Sequence, residues 1–444
     1  MLARASGGLP LQAVLATRQL APPTPITTTL HEGNEMNMSA ADSADRDALE
    51  HHDDWLDRVS TLMRTGRYAQ AREIAGRLWQ AWRFKMGHAA LPSWQIGCAN
   101  AWACYRTGHY AELGHIVAEL GRILGEATED IGEWQIEYAD LKAVHARIMG
   151  EFADELIIRN SVVEQACSAY GNASKQGLRL ELNRASALRL LGRFTEAHQL
   201  DATTANAYTE QHGPNDPSTL RVQAGLAMDL RELGQYDAAV NMGRRVLSAH
   251  REALSPDHPF VLGSQRMLAV TLQRAGKPHE AYNLAGDAYQ RLLKQDERGQ
   301  DTAATLAVMA STAADPREGA NHGMAAVDMM RTAMGPDHPF TLVCEGTLAV
   351  RWAMAGAHHR ACALANQVVD RSVARLGVAH PQVAVYAANL AGTLGKTGET
   401  EQALRMRHEA AVRAAAALGA KHPVTLTIER AWDWPWLYWD TMQL

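Results

Sequence analysis

Four groups of residues have the types and spacing to do chemistry. Gly395-Lys396-Thr397 has the ending of a phosphate-binding loop, but such a loop needs a further glycine five residues before Gly395, so that backbone N–H groups can cradle phosphates. Position 390 is leucine, and the tripeptide reads as a helix end. His258, His338, His380 and His422 each precede a proline and form a row of possible metal ligands. One ion needs bonds of about 2 Å, and equivalent positions of a stacked array stand too far apart for that. Asp216 holds the same slot before Pro217; Asp is a strong N-cap, so the row reads as helix caps. His51-His52-Asp53-Asp54 and His358-His359 are runs of adjacent ligands that do not converge on one ion, and they read as a solvated helix start and a turn. No His-Glu-x-x-His, Gly-x-Ser-x-Gly, dinucleotide fingerprint or Cys/His zinc spacing occurs. Catalysis has no visible carrier, and no metal or cofactor is expected.

Composition narrows the partners. A net charge of −6 and a pI near 6.3 argue against nucleic acid, whose phosphates need a basic face. Cys98, Cys104, Cys167, Cys344 and Cys362 are scattered and odd in number, which suits a reducing compartment and a cytoplasmic location. No run approaches the roughly 18–20 apolar residues of a membrane span. Residues 1–31 lack acids and carry Arg4, Arg18 and a weak apolar run from Leu9 to Ala16. They read either as a faint targeting segment or as a start placed upstream of Met36 or Met38.

The elements that must position any site are set by a recurring turn. Gly66-Arg67-Tyr68, Gly108-His109-Tyr110, Gly150-Glu151-Phe152, Gly192-Arg193-Phe194 and Gly234-Gln235-Tyr236 continue, without the aromatic, at Gly276, Gly356 and Gly398. The first six glycines stand 42 residues apart, as do the last two. A fixed period of this size means stacked supersecondary units. Prolines 217 and 259, and then 339, 381 and 423, keep the same period, and Pro suits the first position of a helix. The step from 259 to 339 is 80 residues, so a seventh unit is short and degenerate, centred near Asp315-Pro316. The pattern predicts an all-α solenoid of about nine antiparallel helix pairs over residues 51–430, with a tenth begun at Pro423. Residues 1–50, rich in Pro, Thr, Ala and Asp, are expected to be disordered. The early units lack His-Pro and carry six of the eleven tryptophans, and are expected to pack differently.

Leu376-Gly377, His380-Pro381, Asn389-Leu390-Ala391, Gly398 and Gln402-Ala403 resemble the tetratricopeptide repeat, in the 42-residue form of kinesin light chains and many bacterial repeat proteins. The resemblance implies a right-handed superhelix whose first helices line a concave groove for an extended peptide or a helix. It also implies that the asparagine before Leu-Ala grips peptide backbone. Here that residue is Asn389, with Asn183 as its counterpart. The same slot holds Gly225, Met267 and Thr347; one turn on stand Asp229 and Arg351, and one turn earlier Arg179 and Arg221. Arg179, Arg221 and Arg351 would suit an acidic or C-terminal carboxylate ligand, because arginine grips carboxylates bidentately. The alternative is that they are ordinary solvated helix residues.

The C-terminal stretch 431–444 contains Trp432, Trp434, Trp436 and Trp439, with Pro435 breaking any helix. It reads as a cap over the last repeat, as an interaction peptide for this chain's own groove or a neighbour's, or as a segment modified by an enzyme. The expected function is a non-catalytic scaffold for a protein or peptide partner. The alternative is a regulatory protein whose tail is the switch, recognition signal or modified segment.

Overall fold

The glycine period and the proline period mark out helices of nearly constant length. The computed structural model describes residues 51–87, 90–126, 132–295, 299–430 and 436–438. The segment 1–50, Trp432, Trp434 and Trp439 lie outside these residues. Nineteen helices and no strand occur among the described residues. In chain order they are α1 (His52–Arg64), α2 (Tyr68–Met86), α3 (Leu91–Arg106), α4 (Tyr110–Glu126), α5 (Gly132–Ile148), α6 (Phe152–Tyr170), α7 (Lys175–Leu190), α8 (Phe194–His212), α9 (Pro217–Glu232) and α10 (Tyr236–Ala253). There follow α11 (Pro259–Arg274), α12 (Pro278–Gln295), α13 (Gln300–Thr312), α14 (Pro316–Met334), α15 (Pro339–Met354), α16 (His358–Leu376), α17 (Pro381–Thr397), α18 (Thr400–Leu418) and α19 (Pro423–Arg430). Among the described residues these are nine pairs and one unpaired helix, an all-α helix-hairpin array.

Local chemistry starts and stops each helix. Gly398 ends α17 in the left-handed region, at φ 91° and ψ 2°, where a Cβ would be strained. Asp216, His258, His338 and His380 each accept a hydrogen bond from the backbone N–H two residues on. The row of histidines is therefore a row of caps, and no cluster of metal-ligating side chains occurs among the described residues. Gly395-Lys396-Thr397 closes α17, with the Thr397 hydroxyl donating to Leu394 O at 2.9 Å.

The two helices of a pair differ in burial. The first, such as α15, is buried along nearly its whole length, whereas its partner α16 buries Ala361, Ala365, Val368 and Ser372. Small residues one turn apart let neighbouring helices approach closely. The short seventh pair replaces the glycine turn with Asp315-Pro316, and the Asp315 carboxylate accepts from Arg317 N at 3.0 Å.

The chain divides into two compact units, residues 1–145 and 146–444. The first is built on tryptophan. Trp79, Trp82, Trp94 and Trp102 are buried; a Cβ on Gly97 would lie 2.7 Å from the Trp79 indole nitrogen, and Trp102 Nε1 donates to the buried Glu137 carboxylate at 2.7 Å. The second unit has an aliphatic core running from Phe152 through Leu268 and Leu306 to Leu348. It carries every candidate groove residue.

Candidate functional site

Asn389 stands near the middle of α17, and Arg351 in the last turn of α15. Three residues of the tail, Trp436-Leu437-Tyr438, run across them without regular secondary structure. Asn389 Nδ2 donates to Leu437 O at 2.7 Å, and Leu437 N donates to Asn389 Oδ1 at 3.1 Å. A primary amide carries a donor and an acceptor side by side, and so can answer both the carbonyl and the N–H of one residue. It does so whatever the side chain of the bound residue.

The next residue meets a cation. Arg351 Nη1 lies 3.4 Å from the Tyr438 hydroxyl, which donates to Met354 Sδ at 3.4 Å. The other end of the guanidinium is fixed: Nη2 donates to Ala313 O at 2.7 Å and to Asp315 O at 3.0 Å, in the seventh pair's turn. Gly319 leaves the space that the guanidinium fills. Arg351 is only 2% exposed, and among the described residues it has no carboxylate partner. Burial pushes the Tyr438 phenol above its usual range, against the opposing pull of Arg351.

Leu437 packs on an apolar cluster of Ala384, Ala388, Ala410, Ala414, Val424 and Ile428. Its main chain and Tyr438 meanwhile occupy the predicted groove residues.

The remaining groove residues sit nearer the middle of the chain. Asn183 on α7 accepts from Arg221 Nη2 on α9 at 2.9 Å, and the positive charges of both Arg221 and Arg179 act on the Tyr208 phenol. Asp229, expected at the groove surface, is instead fully buried. Arg189 Nη1 bridges it, at 3.0 Å, to Asp201, at 2.5 Å. Burial raises the Asp229 pKa to about 7, opposed by Arg189 and assisted by the charge of Asp201. Gly225 breaks the asparagine ladder because a Cβ there would collide with the Asp201 carboxylate. Arg189 and Asp201 had no signal in the sequence beyond being charged residues at apolar positions.

A cleft of about 650 Å³ lies between α10 and α12, lined by Arg244, Arg251, Glu252, Glu280 and Asp287 among others. None of the groove residues borders it. The five cysteines are unpaired, and burial pushes the Cys104 thiol up to about 12, which suits packing better than nucleophilic chemistry.

The helix-hairpin array thus carries an asparagine, Asn389, that pairs with a peptide unit of the chain itself. Tetratricopeptide repeat models match residues 178–252 and 383–424, and the chain is a tetratricopeptide-repeat protein. No curated protein matches it closely enough to count as a relative. A Rap protein complexed with Competence and Sporulation Factor is similar over 83% of this chain and 99% of its own, with TM-score 0.62 and 10% identity. NprR in complex with its cognate peptide NprX is similar over 82% and 98%, with TM-score 0.55 and 14% identity. The apo quorum sensor NprR from B. thuringiensis follows, over 83% and 99%, with TM-score 0.51 and 14% identity. At these identities the likeness is one of fold.

Proposed function

We propose that this chain is a non-catalytic binding protein that holds an extended peptide segment of a partner against α15 and α17. The observation that carries this reading is the paired hydrogen bonding of Asn389 with the Leu437 peptide unit. The Rap and NprR complexes, whose partners are Competence and Sporulation Factor and the peptide NprX, support it at the level of fold. Arg351, buried without a carboxylate partner among the described residues, favours a ligand with an acidic side chain or a terminal carboxylate there, since an unpaired buried cation is costly. Arg179 and Arg221 beside Asn183 offer the same chemistry to a second part of the ligand. The free cysteines fit a reducing, cytoplasmic setting.

A second reading follows from the tail contacts. The tail is a ligand held in cis, and an external peptide must displace it, which makes the groove self-regulated. Trp436 and its neighbours Trp432, Trp434 and Trp439 would then be the anchors of the displaced segment.

The test is a titration of the chain ending at Arg430 with a labelled synthetic peptide of residues 432–440, followed by fluorescence anisotropy. Saturable binding, weakened roughly tenfold by Asn389→Ala through the loss of two hydrogen bonds, is expected. No binding to the shortened chain overturns the proposal.

A further inference from the structure

Three histidines do more than cap. His338 Nε2 lies 3.2 Å from Arg147 O, His380 Nε2 is 3.1 Å from Leu190 O, and His422 Nε2 is 2.9 Å from Glu232 O. The partners are 191, 190 and 190 residues apart in sequence. The three contacts therefore form a ladder that advances by one repeat per rung and joins successive turns of the superhelix within residues 146–444. At each rung Nδ1 accepts the cap N–H, from Phe340 at 3.1 Å, Gln382 at 3.2 Å and Val424 at 3.2 Å. A carbonyl can only accept, so the ring must carry its one proton on Nε2. One neutral imidazole thus satisfies a helix start and a helix end from two different turns of the coil.

The opposing surface is equally specific. The carbonyls belong to the ends of α5, α7 and α9, just before the turns at Gly150, Gly192 and Gly234. These glycines have φ of 75°, 73° and 77°. They also seat the prolines: a Cβ would lie 2.9, 2.6 and 2.5 Å from the Cδ atoms of Pro339, Pro381 and Pro423. Phe152, in the first of these turns, packs against the rings of His338 and Phe340 at centroid distances of 6.1 Å each. Three residues before each glycine stands a buried arginine: Arg147 bonded to Glu155, Arg189 to Asp201 and Asp229, and Arg231 to Glu232. The corresponding positions before Gly108, Gly276, Gly356 and Gly398 hold Tyr105, Gln273, Ala353 and Gly395. An added Cβ at these four glycines would meet nothing within 4 Å. The arginine-glycine receiving motif therefore occurs at the three turns that receive a His-Pro.

The three capped helices are also those that build the tail site. His338 starts α15, which carries Arg351 and Met354; His380 starts α17, which carries Asn389; His422 starts α19, which leads into the tail. We propose that His338, His380 and His422 are positioning residues: they latch the three site-forming helices onto the preceding turn of the superhelix, and the latch sets the spacing of Arg351, Asn389 and Leu437. The link to an external ligand rests on the peptide-binding reading, but the latch and its effect on the tail do not.

The experiment uses the full chain and no added ligand. His→Asn at 338, 380 and 422 keeps a capping oxygen, since Asn is as good an N-cap as Asp and Asp216 already caps this position, but the shorter side chain gives up the bond to the other turn. Far-UV circular dichroism is expected to match wild type. Hydrogen exchange at the Gly150, Gly192 and Gly234 turns and at the Leu437 amide is expected to rise roughly five- to tenfold. A matched pair of glycine variants guards against a triple variant that fails to fold. Gly192→Ala and Gly276→Ala carry the same backbone strain, at φ 73° and 74°, yet only the first adds a methyl against a proline. Faster Leu437 exchange in Gly192→Ala than in Gly276→Ala supports the latch. Equal exchange in the two alanine variants, or turns that open while Leu437 exchanges as in wild type, overturns it. Failure of the 432–440 peptide to bind in trans would leave these outcomes standing and sink only the ligand reading.

Discussion

The side-chain amide of Asn389 and the peptide unit of Leu437 hold each other through two hydrogen bonds, at 2.7 and 3.1 Å, across 48 residues of sequence. Replacing Asn389 by Ala leaves both polar groups of Leu437 unsatisfied if the tail stays docked, which costs about 1–3 kcal/mol. Limited proteolysis after Tyr438 is expected to speed up accordingly, with the helical signal unchanged. A digestion rate equal to wild type would show that the clamp does not hold the tail.

Arg351 faces a neutral phenol where its surroundings favour an anion. A 432–440 peptide with glutamate in place of Tyr438 should bind the chain ending at Arg430 more tightly than the natural peptide, by roughly tenfold at low salt. Isothermal titration measures this, and Arg351→Met should remove the difference. The advantage should shrink as salt rises.

The Arg189 bridge is a structural cluster with one carboxylate in excess. Arg189→Met strands Asp201 and Asp229 and is expected to cost about 3–5 kcal/mol, read by urea denaturation. Asp229→Asn keeps one full ion pair and acts in the opposite direction. The folded pKa of Asp229 is raised from 3.8 to about 7, so over that window the folded state binds more protons than the unfolded one. Stability from this group therefore falls as pH rises through it. The asparagine variant should gain on wild type by about 1–2 kcal/mol at pH 8 and lose that gain toward pH 4.

The latch histidines have the reverse sign. Burial, first of all, pushes His338 and His380 down to about 4 and His422 downward, against an unfolded value of about 6.5. The carbonyls opposite pull upward. Arg375 adds to the depression at His338, and at His422 Arg274 and Glu232 oppose one another. The unfolded chain binds more protons between about 4 and 6.5, so the latch contribution is complete above that window and lost as pH falls through it. His250, also depressed to about 4, follows the same trend, so the informative quantity is the difference between wild type and the triple His→Asn variant. The Tm of wild type should drop more steeply on acidification, and parallel curves would refute the assignment.

The sequence by itself determined everything that depends on near neighbours. The 42-residue period, the Asp-Pro and His-Pro caps, the glycine turns and the nine pairs follow from local backbone preferences and the helical spacing of apolar residues, and the structure keeps each of them. The short seventh pair was visible in the slip of the period, and Asn389 in its register. Only the tertiary structure decided what depends on the pitch of the superhelix. That pitch sums small rotations over four to five repeats, so no local rule sets it, yet it brings His380 to Leu190 and makes the same glycines serve as both turn and proline seat. It also withdrew Asp229 from the groove, where Arg189, buried beside it, offsets part of the cost of burying the carboxylate. And it placed Leu437 on Asn389, because an extended segment has no periodicity of its own and takes its position from the surface that satisfies its peptide groups.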